Sequence, residues 1–99
     1  MKYLIAWEAR QNASEETQQR GLQVFSKWSP AEGVTFHQFL GRIDARGGYA
    51  VVETDDPTLV ARDMSIFSAF FDMTVQPCLD VMDTARIGGE AIEFRNSIS

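Results

Sequence analysis

The chain has 99 residues, 44% of them apolar and 23% charged, which is the composition of an ordinary globular protein and too short for two domains. Nine basic side chains stand against fourteen acidic ones, a net charge of -5. A polyanion is repelled on average and no cluster of lysine or arginine offsets this locally, so neither nucleic acid nor an anionic membrane is expected as a partner.

The first element spans Lys2 to Ala9. Its residues are apolar on both parities through Tyr3, Leu4, Ile5, Ala6 and Trp7, the pattern of a strand covered on both faces. The period then changes in "RQNASEETQQRGLQVFSKW". Asn12 or Ser14 is placed to cap a helix, Glu15 and Glu16 suit the positive end of its dipole, and Thr17, Gly21, Val24, Phe25 and Trp28 recur at three- and four-residue spacing to mark the buried face. Pro30 and Gly33 stop it.

Residues 34–43 and 48–54 read as a hairpin with an even-sized loop, either Asp44 to Gly47 or Ala45 and Arg46 alone. Either loop places Arg42 opposite Tyr49, Leu40 opposite Val51, Gln38 opposite Glu53 and His37 opposite Thr54. One face then carries Phe36, Gln38, Leu40, Arg42, Tyr49, Val51 and Glu53. The other carries His37, Phe39, Gly41, Gly48, Ala50, Val52 and Thr54. The glycines of "DARGGY" are followed by a strand, not by the helix that a phosphate loop requires, so they belong to the turn.

A second helix follows, with Asp56 as N-cap, Pro57 in the first turn and a stripe of Val60, Met64, Phe67 and Phe71. "MTVQPCLDVM" is the fourth strand; Pro77 removes a ladder donor and assigns it to a sheet edge. In the tail, residues 82–99, Asp83 is a candidate cap and Ile92 and Phe94 are candidate anchors. Gly88 and Gly89 predict a short or frayed helix there.

The order of strand, helix, strand, strand, helix, strand is the ferredoxin-like βαββαβ pattern of the α+β class, a four-stranded antiparallel sheet with both helices on one face, in one domain over residues 1–99. The face left open is not polar. It predicts a homodimer formed through the sheet.

Five stretches carry a family resemblance: "MKYLIAWEAR", "VFSKWSPAEG", "HQFLGRIDARGGYAVVETDDP", "FSAFFDMTVQPCLDV" and "AIEFR". Together they resemble an uncharacterised bacterial family known as domain of unknown function 3303, over essentially the whole chain. The resemblance implies the dimeric α/β-barrel type of fold, in which two ferredoxin-like units pack sheet to sheet. Proteins of that type include cofactor-independent monooxygenases, muconolactone-isomerase-like enzymes, chlorite-dismutase-like haem proteins and stress-induced proteins without an established activity. No catalytic motif carries over residue by residue, because one fold hosts many functions.

His37, the only histidine, is the candidate for proton transfer. On its expected face the sheet residues are small and the helix residues large, which leaves room for an apolar pocket lined by Trp28, His37, Phe39, Thr54 and Phe67. The bland alternative is a structural histidine bonded to Thr54 or to backbone. Gln38, Arg42, Tyr49 and Glu53 form a second polar cluster, suited to holding a carboxylate or to pairing across a dimer face. Trp7 and Trp28 are read as core aromatics and Asp56 as a cap.

With one histidine and a distant Cys78, no metal site has ligand spacing, and no cofactor is expected; haem ligation by His37 stays as a third reading. A lone cysteine forms no disulfide within the chain, and the apolar run before Glu8 is too short for a signal or a membrane span, so the expected compartment is the cytoplasm. Three functions remain open: a binder of a small apolar or aromatic molecule between sheet and helices, an enzyme of monooxygenase or isomerase type, and a non-catalytic stress or interaction protein.

Overall fold

The computed structural model describes residues 1–98. Its elements are β1 (Lys2–Ala9), α1 (Glu15–Lys27), β2 (Thr35–Gly41), β3 (Gly47–Glu53), α2 (Pro57–Phe67), β4 (Phe71–Cys78) and α3 (Val81–Ser97). The four strands form one antiparallel sheet in the order β2-β3-β1-β4. The fold is ferredoxin-like α+β with an added C-terminal helix.

Local chemistry sets the element ends. Ser14 caps α1 by accepting from the Thr17 amide at 3.1 Å, and Asn12 takes a left-handed φ of 68° in the turn before it. Asp56 caps α2 through the Thr58 amide and hydroxyl, with Pro57 in the first turn. These bonds to the ionised carboxylate hold the Asp56 carboxyl below its ordinary range. Pro77 lies in the edge strand β4, paired only with β1.

The inner face of the sheet carries Ile5, Ala50 and Val52, which form the buried core with Val60 of α2; Tyr3, Trp7, Val34, Phe36, Met64 and Met73 pack around it. Apolar area removed from water here, about 25 cal/mol per Å², is what holds α2 on the sheet. Trp7 lies across Gly48. A Cβ at that position would collide with the indole and with the Leu40 carbonyl, so a glycine is required there.

The hairpin departs from the expected register. Leu40 pairs with Tyr49, Phe39 with Ala50 and Gln38 with Val51, two residues earlier along β3 than the turn composition implied. The loop is still even, Ile43 to Arg46, but it starts sooner. Asp44 closes it by accepting from the Arg46 amide and the Arg42 guanidinium, and Ala45 takes a φ of 61°. A bulge between Phe36 and Gln38 then resets the ladder, so Phe36 pairs with Val52 and Thr35 with Glu53. The extra residue is His37.

Two further expectations are corrected. Phe71 begins β4 instead of ending the stripe of α2, which closes at Phe67. The tail is a continuous 17-residue helix with no break at Gly88 or Gly89, entered from Asp80 and not from Asp83. None of its residues is buried, so Ile92 and Phe94 do not anchor it. No helix among the described residues is long and apolar enough to cross a membrane.

Candidate functional site

A cavity of about 360 Å³ opens between the inner face of the sheet and the two helices packed on it. Its floor is Ile5, Trp7, Phe39, Gly41, Ala50 and Met73. Its walls come from Gly21, Phe25 and Trp28 on the α1 side and Met64 and Phe67 on α2. Every lining side chain is apolar or aromatic. None is titratable.

Large aromatic residues bound this space because the strands beneath them are small. Gly41 has no atom within 4 Å of where a Cβ would sit, and Ala50 offers only a methyl group. The aromatic rings interlock edge to face. Trp28 meets Phe67 at 5.1 Å and 87°, Trp7 meets Phe39 at 5.5 Å and 73°, and Phe25 bridges Phe39 and Phe67 at 6.0 and 6.3 Å. Such pairs add about 0.5–1.5 kcal/mol each beyond the area they bury, so the wall is preorganised.

Asp63 orients the largest wall residue. Its side chain is only 3% exposed; Oδ1 accepts from Trp28 Nε1 at 3.3 Å and Oδ2 from the Ala31 amide at 3.2 Å. The indole edge is thereby held toward α2, and the segment after α1 is held to the same carboxylate. The expected pocket did not include Asp63. A signal existed: position 63 falls on the Val60, Met64 and Phe67 stripe, where a carboxylate needs a buried partner.

Of the residues proposed for the pocket, Trp28, Phe39 and Phe67 line the cavity, while His37 and Thr54 do not. The bulge turns His37 to the outer face of the sheet, where Nε2 lies 2.7 Å from Glu53 Oε1, both side chains half exposed. This hydrogen bond holds the Glu53 carboxyl below its ordinary range, helped by the charges of His37, Lys2 and the N-terminus. Thr54 is buried in the turn to α2. Its hydroxyl accepts from the Asp56 amide at 3.1 Å, and its backbone pairs with Met1 at both N–H and C=O.

The second polar cluster is not assembled as the expected register placed it. Tyr49 stands opposite Leu40, Gln38 opposite Val51 and Glu53 opposite Thr35. Arg42 turns to Asp44 and to Glu8 at 3.6 Å, and its guanidinium is held above its ordinary range by the Asp44 hydrogen bond. Asp44 in turn is held low, first by the Arg46 amide and then by Arg42. These are turn and edge pairings. Among the described residues, no group of three or more histidine, cysteine, aspartate or glutamate side chains is placed to hold a metal ion. His37, the candidate haem ligand, is bonded to Glu53 and is not among the residues lining the cavity.

Residues 1–92 match the profile of a family described as domain of unknown function (DUF3303). The chain belongs to the DUF3303 family. A comparison with curated proteins found no match. The DUF3303 match covers all four strands, both sheet-packed helices and most of α3, so the cavity lies wholly inside the family region.

Proposed function

We propose that this DUF3303 protein binds a small apolar or aromatic molecule in the cavity between sheet and helices. One observation carries the reading: about 360 Å³ of space bounded by interlocked aromatic rings and methionines, with no polar side chain in the lining. Pockets for small molecules are of this size and are lined mainly by such residues. Two methionine thioethers, Met64 and Met73, add polarisable surface that adapts to a flat guest. Isomerase or cofactor-independent oxygenase chemistry needs a proton acceptor beside the guest, and this lining offers none from its own side chains. That favours binding over acid–base catalysis. The cytoplasm is the compartment proposed, supported by an exposed lone Cys78 that has no second cysteine to pair with.

The test is a thermal-shift and tryptophan-fluorescence titration with small aromatic acids, quinones, lactones and haem, on the wild type and on Gly41→Leu. A leucine at position 41 has open space to enter, so the variant folds while its side chain obstructs the cavity. A compound held a hundredfold above its Kd stabilises the wild type by about 2.7 kcal/mol and leaves the variant unshifted. Binders that stabilise both proteins equally would place the site elsewhere, and a panel that shifts neither would sink the reading.

A further inference from the structure

Helix α3 carries an apolar half, and no described residue outside the helix buries it. At 3.6 residues per turn, Val81, Ala85, Ile87, Ala91, Ile92 and Phe94 fall on one half of the helix, with Arg95 among them. Asp83, Arg86, Glu90 and Glu93 fall on the other together with Met82, and there Arg86 bonds Glu90 at 2.9 Å and lies 4.0 Å from Asp83. The larger apolar residues other than Met82 thus gather on one half, the half a covered helix would bury. Here the apolar side is open, with Phe94 67% exposed. The connection from Cys78 at the end of β4 is only Leu79 and Asp80, and the molecule is drawn out to 61 Å.

The exposed area states what is missing. The chain exposes 7448 Å², whereas a folded monomer of 11.1 kDa exposes about 5,650 Å². The excess is about 1,800 Å² per chain, so two chains covering each other would bury about 3,600 Å², within the 2,000–5,000 Å² of obligate homodimers. A second open apolar surface faces away from the cavity. On the outer face of the sheet Leu40 and Tyr49 are exposed and Leu4, Ala6 and Val51 half-buried. Isologous pairing joins the two surfaces reciprocally.

We propose that α3 is an exchanged arm, whose apolar half seats on the outer sheet face of a second copy of this chain, each copy giving one arm and receiving one. The arm's other half, with three carboxylates to one guanidinium, stays in water and disfavours an anionic membrane as the occupant. This inference does not rest on the cavity, which opens on the other side of the sheet and touches this face only at its rim, at Leu40.

The experiment is sedimentation equilibrium of the full chain and of Ile87→Glu and Ile92→Glu, joined to photo-cross-linking from benzoylphenylalanine at position 94 in mixed light- and heavy-isotope protein. The expected result is a wild type of twice 11.1 kDa, a dimer constant weakened at least about thirtyfold in each variant, and light-to-heavy cross-links falling on β1 and β3. Both positions are exposed within one chain, so the variants keep the circular dichroism of the fold. A monomeric wild type, including one that instead sediments with anionic vesicles, overturns the proposal. So do variants that dimerise as tightly as the wild type, or cross-links confined to the α3 helix of the second copy.

Discussion

Asp63 accepts from Trp28 Nε1 and the Ala31 amide at once, so two donors in a largely dry region depend on one carboxylate. Replacing it by alanine strands both, and an unsatisfied buried donor costs about 1–3 kcal/mol. Asp63→Ala is expected to lose about 3 kcal/mol in urea unfolding and Asp63→Asn markedly less, since the amide keeps one acceptor. Equal losses in the two variants would show that volume, not hydrogen bonding, sets the cost. The His37–Glu53 pair is different, being exposed and on the other face. Glu53 is ionised more readily in the fold than at its ordinary value of 4.5. A depressed carboxyl contributes stability above that ordinary value and loses it as pH falls through the lower folded value. In His37→Ala the Glu53 titration, followed by carboxyl NMR, is expected to move up toward 4.5, with a smaller loss of stability on the acid side. Lys2 and the N-terminus keep part of the shift. An unmoved Glu53 titration would mean that the pair does not form in solution.

At the scale of elements, most boundaries were readable because the signals are local. A cap acts within three residues and proline acts on its own amide, so Asp56, Pro57 and Pro77 each declare their position and Ser14 was one of two candidates. Register is not local. One inserted residue at His37 turns Phe36 from the outer face to the core and carries His37 the other way, and no side chain near it announces the bulge. Helix α3 shows the converse, since Gly88 and Gly89 argue for fraying yet the helix runs through them. Each glycine there costs roughly 1 kcal/mol against alanine. Gly88→Ala with Gly89→Ala, where no atom lies within 4 Å of either new Cβ, is expected to raise helicity by circular dichroism and slow amide exchange in α3. Slower exchange in β1 or β3 without any change in α3 would contradict that local account.

Across the whole molecule, two surfaces of unlike kind flank the sheet. The helix side holds an apolar cavity, and the outer side holds an open apolar patch with a polar border of Lys2, Glu8, Glu53 and Asp72. The first suits a small guest and the second a large flat one. The candidate site was therefore half legible. Trp28, Phe39 and Phe67 could be placed from helical spacing and strand parity, which are properties of single elements. His37 could not, since its place depends on the bulge between Phe36 and Gln38, nor could Thr54, which is held by Met1 and Asp56 in the turn to α2. The sequence by itself determined the element order, the edge position of β4, the cap of α2 and the α+β class, because periodicity and capping act over a few residues, and it narrowed the cap of α1 to Asn12 or Ser14. Only the tertiary structure decided the bulge at His37, the burial of Asp63 and the exposure of α3. Each of these rests on a contact, or a missing contact, between residues far apart in the chain.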